Sequence, residues 1–353
     1  MMKKLVSVEL ILILAFALQA CGGQAAPSPA PASSDNRVFT MTVHQHDSAT
    51  SGPGIFLEAW AEKIEAESGG RLKFNIFHGA TLGSARDTIE MIQNGTCDIG
   101  WGLQSYFSGQ FDGSEVVTSP MSGIKDSTHG TQVIWNLYKN NPEIAAEYEN
   151  YHVLLLHTSL NMPVSSRGGK FESAAAFNGT KIRGVSSPMM TFATSLGISP
   201  VSIAIGELFQ AIENNTVDGV ITDWHAIRVF SLYEALRYYL DESIGGVNIY
   251  FLLMNKDSYN ALPDDLKKTI DDNSRDHAAS YVGGIWGTFE TDVRQLIAEN
   301  GGEIYKLSDE ERANMQQTAE NAHEKWIEDV TARGYNGRAL FDEFKRYVQQ
   351  FDR

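Results

Sequence analysis

Residues 177–224 read "FNGTKIRGVSSPMMTFATSLGISPVSIAIGELFQAIENNTVDGVITDW". "TKIRGV" (180–185) and "VDGVIT" (217–222) are short β-patterned runs, and "IGELFQAIENN" (205–215) between them repeats its apolar residues at helical spacing. Strand, helix and strand in that order imply a βαβ unit, and hence an α/β fold.

The alternation continues on both sides. Upstream, "RVFTMTV" (37–43) suits a strand, and Phe56, Trp60 and Ile64 recur every four residues in an amphipathic helix closed by Gly69 and Gly70. "RLKFNIFHG" (71–79) is the next strand, with Leu72, Phe74 and Ile76 on one face. "ARDTIEMIQNG" (85–95) is a helix stopped at Asn94-Gly95, and "CDIGWG" (97–102) a short buried strand. "YHVLLLHTS" (151–159) is a continuous apolar run of the kind that parallel sheets bury on both faces. Downstream, "HAIRVFSLYEALRYYL" (225–240) reads as helix and "VNIYFLLMN" (247–255) as a further strand. From Pro263 onward the pattern is almost entirely helical, broken by "GEIYKL" (302–307), and Ser308 with Glu311 has capping-box spacing. Such an arm suits a strut bracing two lobes, and equally a rigid scaffold for an oligomer.

The first residues bear on location. "MMKKLVSVELILILAFALQACGG" has a basic start at Lys3 and Lys4, an apolar run from Leu10 to Leu18 and small residues before Cys21, a secretory signal pattern. The run falls short of the roughly 20 apolar residues that a bilayer crossing needs. "LQAC" (18–21) resembles a bacterial lipobox, so residues 1–20 are the expected signal peptide and Cys21 the expected lipidation site; ordinary cleavage nearby is the alternative. The following "GGQAAPSPAPASSDN" (22–36) has no large apolar residue and alternates Pro with Ala or Ser. Residues 21–37 are therefore expected to form a mobile tether, with a reach on the order of 20 Å. Together these features place the body outside the cytoplasm, held to a bacterial membrane by lipid.

Removing residues 1–20, which carry Lys3, Lys4 and Glu9, takes the formal charge from −16 to −17. A body this acidic excludes nucleic acid as a partner and is repelled by anionic lipid. With Cys21 lipidated, Cys97 has no partner for an internal disulfide. About 315 residues must then be held by apolar cores alone, a length that usually means two lobes.

Enzyme signatures are missing: the sequence has no G-x-S-x-G, Walker P-loop, H-E-x-x-H, C-x-x-C or complete G-x-G-x-x-G after a strand, and no cofactor is expected. "VHQHD" (43–47) puts His44 and His46 on one side of a strand end beside Asp47, which invites a metal reading. Zinc needs at least three protein ligands, and no third is identifiable, so no metal is expected.

The 177–224 stretch resembles the signature region of the solute-binding proteins of tripartite ATP-independent periplasmic (TRAP) transporters. That family runs G-x-K-[IL]-R, a helix ending in L-G-x-x-P, E-[VL]-[YF]-x-A-[LI] and V-D-G, here Gly179–Arg183, Leu196–Pro200, Glu207–Ile212 and Val217–Gly219. "LGSARDTIEMIQNGTCDIGWG" (82–102) and "VNIYFLLMNKDSYNALPDDLKKTI" (247–270) are similar to further family segments, so the likeness spans about residues 38–300. The resemblance implies a two-lobed α/β clamshell of the periplasmic-binding-protein type with a long helical C-terminal region. Lobe 1 would comprise residues 38–159 and 248–288, and lobe 2 residues 160–247 and 289–353. The family captures a small organic acid between its lobes and delivers it to small and large membrane permease subunits driven by an ion gradient, so no enzymatic activity is expected. Other readings are a substrate-binding lipoprotein of another importer, a ligand-sensing lipoprotein, and a metal-dependent hydrolase using His44, His46 and Asp47.

The family's carboxylate-binding arginine is matched by Arg183. A guanidinium pairs both oxygens of a carboxylate, and left unpaired in a closing cleft it costs about 3–5 kcal/mol, which a bound acid relieves; the plain alternative is a structural ion pair. By the same comparison His46 lines one lip of the cleft, while His44 is a bystander. Trp101 and Trp224 follow strands whose carboxyl ends meet the cleft and are expected to wall it, with core packing as the alternative. Thr222 stands where many carboxylate-binding relatives have asparagine in D-G-x-x-N-P. The departure to "DGVITDW" puts Asp223 beside the cleft, against a simple dicarboxylate and toward an amino, hydroxy or aromatic acid. Arg86 matches a family arginine near the cleft and offers a second cation, unless it is a solvent-facing helix residue. Ser186 joins this ligand set, and Arg167 is assigned to a surface turn.

Overall fold

Two mixed sheets organise the chain in a computed structural model that describes residues 36–352. The signal pattern, Cys21 and nearly all of the tether lie outside the described residues. Along the chain run β1 (Phe39–His44), α1 (Gly52–Glu67), β2 (Leu72–Phe77), α2 (Thr88–Gln93), β3 (Ile99–Leu103), α3 (Ser127–Asn140), α4 (Pro142–Glu147), β4 (Tyr151–Thr158) and β5 (Val164–Ser166). Next come β6 (Lys181–Arg183), α5 (Ser187–Ser195), β7 (Ser199–Val201), α6 (Leu208–Glu213), β8 (Gly219–Ile221), α7 (Trp224–Val229), β9 (Tyr238–Leu240) and β10 (Ile249–Asn255). The last elements are α8 (Lys256–Asn260), α9 (Asp264–Asn273), α10 (Arg275–Glu299), β11 (Glu303–Tyr305), α11 (Asp309–Ala332) and α12 (Gly337–Gln350).

The first sheet has the order β2-β1-β3-β10-β4 and the second β11-β9-β5-β8-β6-β7. Within the first, β1 runs parallel to β2 and β3, while β10 is antiparallel to β3 and β4. Within the second, β6 runs parallel to both β7 and β8, and β5 is antiparallel to β8 and β9. The chain leaves the first sheet after β4 and returns to it as β10, so the fold is two-lobed α/β.

Local chemistry explains the elements around the site. Helix α1 starts at Ser51, whose hydroxyl accepts the Gly54 N–H, with Pro53 in its first turn. Its inner face buries Phe56, Leu57, Trp60 and Ile64, each contributing about 1.5–3 kcal/mol by leaving water. Strand β3 is buried throughout. A Cβ on its Gly100 would lie 2.7 Å from the Ile92 side chain and 2.8 Å from that of Thr88, so glycine here lets α2 lie against the sheet. Helix α10 is roughly 37 Å long at 1.5 Å per residue. It packs on α3 and β4 of the first sheet and on α7 beside the second, while α11 rests on α5 and α12 on α3. Among the described residues no helix is long and apolar enough to cross a membrane.

Three expectations change. The apolar run at 151–158 is not a parallel strand: β4 pairs only with β10, antiparallel, at the edge of its sheet, and is buried because α3 and α10 pack on it. The 225–240 stretch is not one helix. It ends at Val229, passes through Ser231 in the left-handed region at φ 52°, and re-forms as β9 between β11 and β5. Sheet pairing of Tyr238–Leu240 overrides the helical spacing of the apolar residues. The capping box at Ser308 is half made: its hydroxyl accepts the Glu311 N–H at 3.2 Å, but the Glu311 carboxylate accepts from Ala174 N–H at 3.3 Å and ties α11 to the turn before β6.

Candidate functional site

The parallel strands β1 and β3 of one sheet and β6 and β8 of the other aim their carboxyl ends at a common chamber, the place where open α/β sheets hold ligands. From the first sheet come His46 and Asp47 after β1, Leu103 and Tyr106 at and after the end of β3, and Asn248 and Tyr250 at the start of β10. From the second come Arg183 at the end of β6, Ile205, Thr222 after β8, and His225, Ala226 and Phe230 on and beside α7. The chamber holds about 310 Å³ of space between atoms, of which about 20 Å³ is free to the centre of a water molecule. That is the room one water requires.

Arg183 is 1 % exposed. Its Nε–H donates to the Ile203 carbonyl at 3.1 Å and Nη1 to that of Ile221 at 3.2 Å, so the backbone beyond β7 and at the end of β8, the two strands flanking β6, holds the guanidinium upright. Nη2 reaches the Tyr106 hydroxyl at 3.5 Å, which also accepts the Ile205 N–H at 3.1 Å. Among the described residues no carboxylate lies within ion-pair distance of Arg183. Neutral acceptors leave two of its five N–H groups for something else.

Two acids stand at the chamber, Asp47 in its wall and Asp223 behind it. Asp223 is wholly buried and caps α7, its Oδ1 accepting the Ala226 N–H at 2.9 Å. Its Oδ2 lies 3.4 Å from Asn248 Nδ2 and 3.5 Å from the Tyr250 hydroxyl. Burial raises its pKa above the usual aspartate range, against the bonds from Ala226 and Asn248 and the charge of Arg183. Asp47 faces the chamber itself, 4 % exposed. Burial, and then the Asp223 charge, push it up to about 8.

The histidines around them are neutral. Burial, and then His44, hold His46 down to about 3. Its Nε2 lies 3.7 Å from Asp47, beyond hydrogen-bond range, and its ring packs 4.9 Å from that of Trp101. His225 accepts the Gly52 N–H at Nε2 (2.9 Å), which leaves its proton on Nδ1, 3.9 Å from Asp223. Burial lowers it to about 3. Gly52 opens α1, so this bond joins the first lobe to α7 beside the second sheet.

The sequence-derived candidates separate accordingly. Arg183, His46 and Thr222 line the chamber, with Asp223 immediately behind it. Trp101 stands one layer back, stacked on Tyr250 at 4.6 Å and donating Nε1–H to His157 Nε2 at 3.0 Å; it props His46 rather than walling the cavity. Trp224 turns away, under the Arg294 guanidinium at 4.4 Å and near Tyr239. Ser186 caps α5, its hydroxyl accepting the Met189 N–H. Arg86 lies over the Tyr106 ring at 4.6 Å and donates to Ser202 Oγ at 3.1 Å, on a wider cleft on the far side of Tyr106 with about 730 Å³ free to the centre of a water molecule. Arg167 is exposed and pairs with Glu213 at 3.0 Å. His44 is buried with both ring nitrogens unbonded. Among the described residues no cluster of His, Cys, Asp and Glu fits a metal ion.

Tyr106, Asn248, Tyr250 and His225 were not singled out from the sequence. Tyr106 was within reach of the rule that ligands gather beyond strand ends, since it lies four residues past a strand already assigned, and Asp47, read there as a metal candidate, lies as far past another. Asn248 and Tyr250 begin a strand that runs the other way, and no single-strand rule points at them.

The family profile for bacterial extracellular solute-binding proteins, family 7 (DctP), matches residues 43–329. A TRAP solute-binding protein of a marine metagenome, specific for aromatic acid ligands and crystallised with 3-hydroxybenzoate, is 26% identical with a TM-score of 0.85; the match covers 90% of this chain and 100% of that one. A TRAP solute-binding protein from Rhodoferax ferrireducens, in complex with copurified benzoate, is 25% identical with a TM-score of 0.83, covering 89% and 98%. The 2,3-diketo-L-gulonate-binding periplasmic protein YiaO of Escherichia coli is 20% identical over 258 residues, 73% of this chain and 74% of its own length. A profile match over most of the chain, a two-lobed fold shared with these receptors and a polar chamber at the strand ends agree: the chain belongs to extracellular solute-binding protein family 7, the DctP-type receptors of TRAP transporters.

Proposed function

We propose that this receptor captures an aromatic monocarboxylate, clamps its carboxylate with Arg183 and passes it to the membrane permease subunits of a TRAP transporter. One observation carries the reading: Arg183 is buried, held upright by two backbone carbonyls, and faces the chamber without an acid of its own. A bound carboxylate supplies the missing counter-charge through paired, charge-assisted hydrogen bonds. Tyr106, Phe230, Tyr250 and His46 line the same space with rings suited to an aromatic body. The relatives that hold 3-hydroxybenzoate and benzoate support the class. Lobe boundaries near residues 159–160 and 247–248 fit the two passages of the chain between sheets. Lipid attachment at Cys21 would keep the receptor beside its permease, and the mass of the mature N-terminus decides that point.

Thermal melts of the purified protein with benzoate, 3-hydroxybenzoate, succinate and glucuronate test the ligand class. A cognate acid at 100 times its Kd adds about 2.7 kcal/mol of stability, a shift of several degrees. Aromatic acids are expected to give that shift. Stabilisation by succinate or glucuronate alone overturns the aromatic reading.

A further inference from the structure

Arg183 accounts for one polar pole of the chamber, and the Asp47 carboxyl forms another. Asp47 follows β1, is 4 % exposed and faces the cavity. Among the described residues no hydrogen bond reaches its carboxyl, and His46 Nε2 stands 3.7 Å away, too far for one. Buried polar groups in native proteins are nearly always bonded to protein or water, so a carboxyl that faces a binding chamber with no protein donor is placed to take its partner from the ligand. Asp223 cannot take that role. It is fully buried behind the wall, with one oxygen capping α7 and the other within reach of Asn248 and Tyr250.

The chemistry of the missing partner follows from the neighbourhood. A second carboxylate on the ligand would bring a third acid beside Asp47 and Asp223, whose mutual repulsion already disfavours full ionisation. The neighbouring His46 and His225 are neutral and bring no compensating charge. An unsubstituted ring would leave the Asp47 carboxyl bare. A hydroxyl serves it in either charge state, donating to the carboxylate or accepting from the acid. An ammonium would first require the Asp47 carboxyl to give up its proton.

We propose that Asp47 is the specificity-determining residue of this receptor, bonding a ring hydroxyl on an aromatic monocarboxylate and turning away a second carboxylate. This rests on Arg183 as the carboxylate anchor. Calorimetric titration at one pH compares benzoate, 3- and 4-hydroxybenzoate, isophthalate and 3-(aminomethyl)benzoate on the wild type, Asp47→Ala, the isosteric Asp47→Asn, and Arg183→Lys. In the wild type the better hydroxybenzoate should bind at least about tenfold tighter than benzoate, and isophthalate weaker than either, as expected of a site with a buried hydrogen bond to lose. Asp47→Ala should shrink the hydroxybenzoate-to-benzoate ratio below about threefold, and Asp47→Asn should improve isophthalate relative to benzoate. Arg183→Lys should weaken all the acids together without changing that ratio. A ratio that survives both Asp47 substitutions overturns the proposal while leaving the clamp intact, and so does tightest wild-type binding by isophthalate or the amine. Failure of every benzoate to bind the wild type overturns the aromatic reading, and this proposal with it.

Discussion

Replacing Arg183 by Met separates binding from folding. Methionine keeps the aliphatic stem and removes the charge. In the complex, the lost interactions are two charge-assisted hydrogen bonds of about 1.5–3 kcal/mol each. Relief of the buried charge in the free protein raises the cost of binding further, but loss of guanidinium desolvation offsets part of the total. A net loss of about 3–4 kcal/mol corresponds to a Kd roughly 10²- to 10³-fold weaker. Without ligand the opposing effects nearly cancel. A charge lacking an ion-pair partner leaves a site that is 1 % exposed, which stabilises, while the carbonyls of Ile203 and Ile221 lose their donors, at about 1–3 kcal/mol each. The unliganded melting temperature should therefore move by only a few degrees while the ligand-induced shift disappears. Calorimetric titration of the cognate acid, with melts of both proteins with and without it, measures both quantities. A variant that folds and binds within tenfold of the wild type, about 1.4 kcal/mol, refutes the clamp.

Two further outcomes follow from the same structure. Asp47, Glu115 and Glu147 are raised to about 8, about 8 and about 7, chiefly by burial, so the folded protein binds more protons than the unfolded chain up to those values and loses stability as pH rises toward them. His44, His46, His157 and His225, lowered to between about 3 and about 4, act in the opposite sense, but only below the ordinary histidine value of 6.5. The melting temperature should accordingly fall between pH 6.5 and 8, less steeply in Asp47→Asn; a flat or rising profile in that window contradicts the burial argument. In the first turn of α1, a Cβ on Gly54 would stand 2.5 Å from the carbonyl oxygens of both Ser48 and Ala49. Gly54→Ala should lower the melting temperature by several degrees through a forced backbone shift, and an unchanged melt would show that this turn gives way freely.

Much of the architecture was legible because apolar spacing alone determines it: Phe56, Trp60 and Ile64 had to face a core, and Ile99 to Gly102 had no polar residue to expose. Pairing direction was not legible. The apolar run at 151–158 carries the same pattern whether its partner is parallel or antiparallel, and the decision lies with β10, far along the chain. The 225–240 stretch failed because its helical spacing competes with pairing between β11 and β5, which only the assembled lobe provides. Within the site, Arg183 was visible through its motif, whereas the roles at 222–224 depend on how a strand turns into a helix. There Thr222 lines the chamber, Asp223 gives an oxygen to the cap and Trp224 swings out to Arg294. The importance of Asp47 was hidden for another reason. Its charge is set first by burial and then by Asp223, a neighbour in space and not in sequence, so beside two histidines it resembled a metal ligand.

The bond from Gly52 N–H to His225 and the bond from Ile205 N–H to Tyr106 tie the elements around the chamber together, the Arg86–Ser202 contact adds a tie in the wider cleft beside it, and the chamber between has free room for about one water. An aromatic acid is much larger than that free room, so binding the proposed ligand would require some of these contacts to give way. Turnover of the bound solute would then be timed by the protein and not by diffusion. The observed capture rate should level off as solute becomes abundant, and solutes of quite different affinity should share that ceiling. For a receptor that must surrender its cargo, tightness and promptness are separate properties. A membrane partner of the proposed kind would hasten release by prising these three contacts apart, without competing for the ligand at all.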